Sequence, residues 1–502
     1  MTTLAAVDLG AQSGRVAVGS LDGDQLSVRR VHQFPNVPVR VGGTLYWDVL
    51  RLYEGVLDGL RATAKETGGR VDAVGVDTWG VDFALLDGRG RLLANPVHHR
   101  DARSARGLEL VLGAVPGRDL YERTGIQLIP INTLFQLGAM VSDGDPTLEW
   151  AERLVLVPDL LHYWLSGLIA CELTNATTTA CLDPRANAWA VDLLKRLDIP
   201  TRLFPGLVAP GTALGPLRDD VADETRLAGG AVVVAPATHD TASAVAAVPF
   251  RRPDAAYVSA GTWSLVGVEL PEPVIDDATF AANLTNEGGV AGTVRLLRNV
   301  TGLWLVHECR RTWALEGRDW SFDELVAMAE EAPPSTAVFD PDDPSFAAPG
   351  DMPKRIREFC ARTRQKPPGT PGEVVRCALE AIALGHRRAV SLLSAVLGSE
   401  PSELHVVGGG AHNRLLCQWT ADATGLPVIA GPADATEIGN LLVQALALGE
   451  LASVAEAREV VRASFAPTLY EPGDRVRWDD ACGRLEQLSI TGGRAAEEAV
   501  AG

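Results

Sequence analysis

Hydrophobic and polar residues alternate through the first thirty-four positions, and two short runs of turn-forming residues interrupt the alternation. This pattern predicts a meander of three strands. Apolar residues then recur at helical spacing over 47–65, and short apolar runs at 71–76 and 83–86 predict two further strands. Sheet and helix therefore alternate from the start of the chain.

The same alternation continues downstream. A predicted strand at 154–157 precedes a helix at 160–165, and a strand at 232–235 precedes a helix at 241–247. Strands that alternate with helices are typical of an α/β domain. The elements predicted beyond these are strands at 255–259, 264–269, 405–407 and 427–430, and helices at 303–311, 373–397, 413–424 and 438–448.

A proline- and arginine-rich connection at 249–254 predicts a domain boundary. The predicted division is an N-terminal domain at 1–248, a C-terminal domain at 249–455 and a C-terminal extension at 456–502. The polar, proline-rich stretch 332–372 is predicted to be a loop or an insertion. A chain of 502 residues agrees with more than one domain, because single hydrophobic cores stop growing below that size.

The charge balance narrows the expected partners. Sixty-four acidic residues against 45 basic ones give a net charge of -19, which repels nucleic-acid phosphates and anionic lipids. The most apolar segment, 229–250, is interrupted by His239 and Asp240, so no membrane span is predicted. The amino terminus lacks the basic region of a secretory signal, and a cytoplasmic protein is expected. Neither nucleic acid nor a membrane is an expected partner.

The seven cysteines form no C-x-x-C pair, so neither a disulfide framework nor structural zinc is expected. Cys360 and Cys377 are expected to be free thiols. The adjacent His98 and His99 have no partner at metal-ligand spacing in the sequence, which favours core or solvated histidines over a transition-metal site.

The first candidate motif is the turn between the first two predicted strands, Asp8-Leu-Gly-Ala-Gln-Ser-Gly-Arg15. Glycines and hydroxyl groups in such a turn surround phosphate oxygens with donors, Arg15 adds positive charge, and Asp8 is positioned to hold Mg²⁺ through water. The alternative is an ordinary hairpin turn.

A second motif, Thr238-His-Asp-Thr241, lies where a buried strand ends and a helix of small residues begins. Open α/β sheets bind ligands at this carboxyl edge. A carboxylate there suits a base that accepts a proton from a substrate hydroxyl during phosphoryl transfer. The alternative is that Asp240 only caps the helix. The neighbouring His239 is interpreted from this motif as structural rather than catalytic.

Two more turns are built from small residues. Ser259-Ala-Gly-Thr262 echoes the first turn, and Val407-Gly-Gly-Gly410 follows a predicted buried strand. Bare backbone of this kind accepts a phosphate or a flat ring. A P-loop is excluded, because none of the four lysines follows a glycine. Any nucleotide must therefore be held by backbone turns, hydroxyl groups and Mg²⁺.

In this order and spacing, the three glycine-containing turns resemble those of the FGGY carbohydrate kinases. Longer strings strengthen the resemblance, which covers about residues 4 to 450, and point to a branch that acts on a deoxyketose. They are Val76-Asp-Thr-Trp-Gly-Val-Asp-Phe83, Gly125-Ile-Gln127 with Asn132-Thr133, Thr174-Asn-Ala-Thr-Thr-Thr179, His239-Asp-Thr-Ala-Ser-Ala-Val245, and Asn283 with Thr285-Asn-Glu-Gly-Gly289. The resemblance implies two RNase H-like α/β domains of the actin and hexokinase type, with an active-site cleft between them.

The resemblance also implies residue roles. Asp240 matches the proton acceptor, and ATP with Mg²⁺ is the implied cofactor pair. The chain departs from the family at His307, where relatives carry a glutamine on the nucleotide side. The implied contacts to the sugar are Gly80, His239, Asp240, Thr241 and Asn299, and those to ATP are Ala11, Gln12, Ser13, Gly14, Arg15, Thr262, His307 and Gly409.

The sequence thus predicts a kinase that transfers the γ-phosphoryl group of ATP to a hydroxyl of a small ketose. Two alternatives remain open at this stage. One is a family kinase for another ketose or a polyol, such as fuculose, xylulose or glycerol. The other is a catalytically silent nucleotide-binding protein of the actin-like type, which the retention of both Asp8 and Asp240 disfavours.

Overall fold

The computed structural model describes residues 1–501, and the side chains of residues 1–488. Its strands are β1 (Thr2–Leu9), β2 (Ser13–Asp22), β3 (Gln25–Pro35), β4 (Val39–Val41), β5 (Thr44–Tyr46), β6 (Ala73–Thr78), β7 (Phe83–Leu86), β8 (Arg153–Leu156), β9 (Cys171–Glu172), β10 (Leu182–Asp183), β11 (Ala188–Trp189), β12 (Leu207–Val208), β13 (Thr212–Pro216), β14 (Val232–Ala235), β15 (Ala256–Ala260), β16 (Trp263–Leu270), β17 (Thr285–Gly288), β18 (Val294–Thr301), β19 (Leu404–Val407), β20 (Val428–Ala430) and β21 (Thr468–Tyr470).

The helices are α1 (Val49–Thr67), α2 (Ala102–Ala114), α3 (Gly117–Thr124), α4 (Thr133–Asp143), α5 (Thr147–Trp150), α6 (Val157–Ser166), α7 (Leu173–Ala176), α8 (Val191–Arg196), α9 (Asp219–Thr225), α10 (Asp240–Ala246), α11 (Asp277–Ala281), α12 (Trp304–Leu315), α13 (Phe322–Glu331), α14 (Met352–Arg362), α15 (Pro371–Leu397), α16 (Arg414–Thr424), α17 (Ala435–Ala447), α18 (Val454–Ser464) and α19 (Arg475–Ala501). Among the described helices, none is long and apolar enough to cross a membrane.

The chain divides into two compact units that interleave along the sequence. Unit 1 contains Met1–Pro249, Glu269–Leu297 and Asp434–Ala466, and unit 2 contains Phe250–Val268, Arg298–Ala433 and Pro467–Gly502. The first crossing lies next to the predicted boundary at residue 248. Packing does not follow a single division there, however, because later segments return to unit 1. The predicted extension at 456–502 is likewise shared between the two units.

Unit 1 is built on a six-stranded sheet with the order β13-β14-β6-β1-β2-β3. The first three strands form the predicted antiparallel meander, and β1, β6 and β14 run parallel. Parallel strands bring their carboxyl ends to one edge, so that Asp8 of β1 pairs in register with Asp77 of β6. An isolated bridge continues this edge by pairing Thr78 with His239.

Helices cover both faces of this sheet. Val74 and Val76 belong to the core cluster that includes residues of α1, while Gly75 between them points to the other face. A Cβ atom at Gly75 would lie 2.6 Å from Asn440 Oδ1 of α17, so the missing side chain lets that helix approach. The helix predicted at 438–448 forms at 435–447, and it packs in unit 1 although its sequence lies in the predicted C-terminal domain.

Unit 2 contains a sheet in which β15 pairs antiparallel with β16 and parallel with β19, which continues to β20 and β21. The long helix α15 and the helices α12 and α14 contribute to its core. Cys360 and Cys377 are buried free thiols in this core.

One element contradicts the sequence prediction. The stretch 332–372 was expected to be a loop or an insertion, and it is not a loop throughout, because α14 forms at Met352–Arg362 and buries Ile356 and Phe359. Its proline follows the N-cap Asp351, whose carboxylate accepts a hydrogen bond from Lys354 N. Proline and aspartate are common at the first turn of a helix, so they marked a helix start rather than a loop.

The contact between α10 and α17 gives a stability prediction. A Cβ atom at Gly439 would lie 1.7 Å from Ser243 O, so Gly439→Ala must separate the two helices. We expect a loss of roughly 1–3 kcal/mol in the free energy of unfolding, seen as a lower thermal midpoint. Gly113→Ala in α2 is the control, because a Cβ atom there meets nothing within 4 Å. A Gly439→Ala protein as stable as the wild type would contradict this packing.

Candidate active site

The turn between β1 and β2 carries the first group of predicted residues. Gly10 N donates to Ser13 O at 3.0 Å, and Asn36 Nδ2 donates to Gly10 O at 2.9 Å. Ala11 and Ser13 are partly buried and Gln12 is exposed, so the turn presents both backbone and side chains. These contacts fix a small-residue turn beside Asp8.

Packing sets its own requirement for glycine at Gly14. It is buried, and a Cβ atom there would lie 2.3 Å from Phe34 Cζ and 2.7 Å from Leu9 Cδ2. The glycine therefore makes room for the Phe34 ring within the sheet. Gly261 in unit 2 differs, because the nearest atom to a Cβ there is Trp263 O at 3.7 Å.

Asp8 lies in a group of buried carboxylates. Burial raises the pKa of Asp8 well above its ordinary range, and the negative charge of Glu437 raises it further. Burial likewise raises the pKa of Asp77, and the negative charge of Asp8 raises it further. Asn440 Nδ2 donates to Asp77 Oδ2 at 2.5 Å, whereas the buried Asp77 Oδ1 has no hydrogen-bond partner among the described residues.

Positive charge reaches the same group from β2 and β3. Arg15 Nη1 lies 3.5 Å from Asp8 Oδ2 and 3.8 Å from Glu437 Oε1. Arg30 Nη2 lies 3.2 Å from Glu437 Oε1 and 2.7 Å from Asp434 Oδ1. Arg15 is therefore held between two carboxylates and remains one-third exposed, with a side-chain exposure of 33%.

Asp240 is the first residue of α10, and His239 is the N-cap. Asp240 is therefore not the N-cap itself, and its Oδ1 accepts from the adjacent Thr241 N at 2.5 Å and from Thr241 Oγ1 at 3.1 Å. His239 Nε2 lies 3.5 Å from the same oxygen. The hydrogen bonds that Asp240 accepts from the described residues all end on Oδ1, and its side chain is 30% exposed.

His239 is buried against an ion pair that the sequence did not predict. Its Nδ1 lies 3.3 Å from Glu287 Oε2 and 3.1 Å from Arg295 Nη2. Burial alone would raise the pKa of Glu287, but the hydrogen bond with His239 and the charge of Arg295 lower it overall. The pair fixes the His239 ring next to Asp240.

Gly80 lies in a strained turn. Val81 has a φ of 70°, in the region that β-branched residues disfavour, and its N donates to Thr178 Oγ1 at 3.1 Å. A Cβ atom at Gly80 would lie 2.9 Å from Thr178 Oγ1. Two of the strings quoted above, 76–83 and 174–179, thus meet at Gly80. Strain that neighbouring groups maintain is typical of a functional segment.

Asp82 follows this turn and is fixed by buried hydrogen bonds. Its Oδ2 accepts hydrogen bonds from Trp47 Nε1 at 2.6 Å and Trp79 Nε1 at 2.9 Å, and lies 2.8 Å from His99 Nδ1. His98 stacks on Trp47 at a centroid distance of 4.0 Å, and burial lowers its pKa to about 2.

Ligand atoms of Asp82, His98 and His99 lie within 4.8 Å of one another, which the sequence spacing did not reveal. Both histidines are buried. The carboxylate oxygen of Asp82 already faces N–H groups of two indoles and His99, so the cluster acts as a hydrogen-bonded core.

In unit 2, the turn at Ser259-Ala-Gly-Thr262 and the glycine triplet at 408–410 follow adjacent parallel strands. Ser259 of β15 pairs with Val407 of β19, so the two turns lie side by side. Thr262 O accepts from Gly302 N and Trp304 N, both at 3.1 Å. A Cβ atom at Gly410 would lie 2.4 Å from Ala260 Cβ, whereas one at Gly409 meets nothing within 4 Å. Gly409 is thus the member of the triplet with open space above it.

His307 and Asn299 also belong to unit 2. His307 lies in the first turn of α12, with its ring centroid 5.6 Å from that of Phe322, and burial lowers its pKa to about 4. The imidazole is therefore neutral near pH 7. Asn299 lies on β18 and is partly buried. It belongs to unit 2, whereas Asp240 belongs to unit 1.

Comparison with known proteins identifies the family. The FGGY family of carbohydrate kinases matches over both of its domains, the N-terminal domain at residues 3–247 and the C-terminal domain at residues 256–448. The chain belongs to this family of ATP-dependent carbohydrate kinases, and the predicted two-domain α/β fold is confirmed.

Curated relatives match over almost the full chain. The rhamnulokinase of Bacteroides thetaiotaomicron is 42% identical over 476 residues, which cover 95% of this chain and 97% of that protein. The rhamnulokinase of Enterococcus faecalis is 39% identical over 472 residues, 93% of this chain and 94% of that protein. Among solved structures, the ligand-bound xylulose kinase from Lactobacillus acidophilus has a TM-score of 0.79 at 14% identity, covering 98% of each chain. This last likeness shows the fold alone.

Asp159 provides a pH test of the packing behind the site. It is buried, its Oδ1 accepts from Glu172 N at 3.2 Å, and burial raises its pKa to about 8 from an ordinary 3.8. Between these pH values the folded state holds a proton that the unfolded state releases, so this contribution to stability is lost as pH rises toward 8. Asp159→Asn removes the titration.

We therefore expect the thermal midpoint of Asp159→Asn, measured relative to that of the wild type, to increase as pH rises from 5 to 8. Exposed Asp24→Asn is the control and should show a constant difference. A constant difference for Asp159→Asn as well would contradict a raised pKa at Asp159.

Proposed function

We propose that this chain is a rhamnulokinase, which transfers the γ-phosphoryl group of ATP to the C1 hydroxyl of L-rhamnulose and gives L-rhamnulose 1-phosphate and ADP. The observation that carries the proposal is the turn at Asp240, which presents a carboxylate at the sheet edge beside the buried Asp8 and Asp77. The two curated relatives described above, both rhamnulokinases, support the choice of sugar.

Asp240 is proposed as the general base. One oxygen is held by Thr241, which leaves Oδ2 to accept the proton of the C1 hydroxyl. The hydroxyl oxygen then attacks the γ-phosphorus, the bond from that phosphorus to the β,γ-bridging oxygen breaks, and ADP leaves. Little covalent chemistry falls to the protein in such a transfer, so its main tasks are positioning and charge neutralisation.

The sugar is proposed to lie against the turn at Gly80 and against His239, Asp240 and Thr241, with Asn299 as a further contact. Gly80 and Thr178 meet in unit 1, as do His239 and Asp240. The proposed sugar contact of Asn299 is supported by the family resemblance alone.

ATP is proposed to contact both phosphate turns. Ala11, Gln12, Ser13, Gly14 and Arg15 form the first, Thr262 belongs to the second, and His307 and Gly409 are proposed on the nucleotide side. Gly409 suits the adenine because nothing would contact a Cβ atom at that position. A neutral His307 side chain would offer the adenine ring a hydrogen bond without adding charge.

The residues at Asp8 fit a magnesium ion. Asp8 and Asp77 offer only oxygen ligands, which Mg²⁺ prefers, and the buried Asp77 Oδ1 has no partner among the described residues. Asp8, with Asp77 behind it, would hold the ion through its carboxylate and bound water. When bound, Mg²⁺ neutralises charge on the β- and γ-phosphate oxygens.

The general base is tested by Asp240→Asn. The amide cannot take the proton, so we expect kcat to fall by about 100-fold or more while ATP still binds and the thermal midpoint is unchanged. Asp24→Asn, on an exposed turn, is the matched control with full activity expected. Retention of more than about a tenth of the wild-type kcat would remove Asp240 from this role.

The sugar is tested by comparing kcat/KM for L-rhamnulose, L-fuculose, L-xylulose, D-xylulose and glycerol, with the product position read by NMR. We expect L-rhamnulose to be preferred and phosphate on C1, because a misplaced hydroxyl leaves buried polar groups unpaired. L-Fructose, which adds one hydroxyl, should be roughly 100-fold poorer. Preference for another member of the panel would support a different family kinase, and no sugar-dependent ATP consumption would support a silent nucleotide-binding protein.

A further inference from the structure

Glu172 is a buried carboxylate that the site described above does not use. It lies at the end of β9, and its side chain caps α7 by accepting from Thr174 N at 2.8 Å. Its Oε2 accepts three more hydrogen bonds, from Thr174 Oγ1 at 2.5 Å, Thr238 N at 2.9 Å and Thr238 Oγ1 at 2.8 Å. The exposure of Glu172 is 0%.

These hydrogen bonds join two segments that are far apart in sequence. Thr174 begins the 174–179 string that reaches Gly80, and Thr238 begins the turn that carries Asp240. Two further hydrogen bonds join the same segments. Thr174 Oγ1 accepts from His239 N at 3.3 Å, and Asn175 Nδ2 donates to Thr238 O at 3.4 Å. Glu172 contributes most of the hydrogen bonds at this junction, because its carboxylate accepts from both Thr174 and Thr238.

The energetics argue against a merely stabilising carboxylate. Among the described residues, Glu172 has no ion-pair partner, and burial raises its pKa although its four hydrogen bonds act to lower it. A buried charge without a counter-ion costs free energy. An apolar residue of similar size would avoid that cost but would leave Thr238 N without its acceptor.

We propose that Glu172 is a positioning residue for the general base. Its carboxylate fixes the backbone of Thr238 and, through Thr174, that of His239, and so sets the direction from which Asp240 meets the C1 hydroxyl. The same carboxylate keeps the 174–179 segment in register with this turn. This inference rests on the proposed role of Asp240, and it adds a residue that acts through Asp240 without touching the substrate.

Glu172→Gln tests the proposal most closely. Glutamine keeps the size and one acceptor oxygen, but its amide group must face N–H or O–H donors from Thr174 or Thr238. We expect kcat to fall by about tenfold to 100-fold, the scale on which a displacement near 1 Å acts, with KM for ATP within about twofold of the wild type. A role in stability alone would lower the thermal midpoint and leave kcat at saturating substrates unchanged.

A pair of threonine variants separates positioning from folding. Thr174→Val removes the hydroxyl that links Glu172 to His239 N, and Thr174→Ser keeps it. We expect kcat to fall in Thr174→Val and to return to within about twofold of the wild type in Thr174→Ser. Thr225→Val is the matched control, because it removes an equally buried hydroxyl that bonds only within α9. It should affect the thermal midpoint and not kcat.

Each outcome decides the question. Normal kcat in folded Glu172→Gln and Thr174→Val, together with a large loss in Asp240→Asn, would overturn the role of Glu172 and leave the proposed function standing. High activity in Asp240→Asn would instead overturn the proposed function. If Glu172→Gln fails to fold, the Thr174→Val and Thr174→Ser pair carries the test, and equal kcat in the two would contradict the proposal.

Discussion

The parallel pairing of β1, β6 and β14 is the constraint on which the site depends. It places Asp8 and Asp77 in register and brings the turn at His239 and Asp240 to the same edge. Burial disfavours the charged form of these carboxylates and their mutual repulsion adds to the cost, so the pKa values of Asp8 and Asp77 are both raised. The fold must therefore supply donors and positive charge at this edge, and the arrangement becomes favourable for a cation and for phosphate groups.

The surrounding elements each supply one such compensation. Helix α17 brings Asn440 to Asp77, Arg15 lies between Asp8 and Glu437, and Glu172 holds the turn before Asp240. Small residues make these approaches geometrically possible, most clearly Gly439, which lets α17 contact α10. The proposed base, Asp240, and the candidate magnesium residue, Asp8, are thus held by the packing of the surrounding elements.

Local patterns predicted the parts of this site that are local. The meander, the turn after Asp8 and the strand-to-helix turn at Asp240 follow from periodicity and turn residues, and all three form. Asp77 had a usable signal, a carboxylate at the end of a buried strand. Glu437 and Asn440 had none, because they lie more than 350 residues from Asp77 in sequence and meet it only through folding. At Gly14 the structure adds a requirement that the motif did not predict, because packing against Phe34 leaves no room for a side chain.

The residues that hold the turn at Asp240, Glu172 in particular, are proposed to affect catalysis through Asp240. A double-mutant cycle on kcat with Glu172→Gln and Asp240→Asn measures this coupling directly. We expect Glu172→Gln to lower kcat by about tenfold or more in the wild-type background, but by less than about twofold when Asp240 is already asparagine. An undiminished loss in the Asp240→Asn background would show that the two residues act independently and would contradict the proposed role of Glu172.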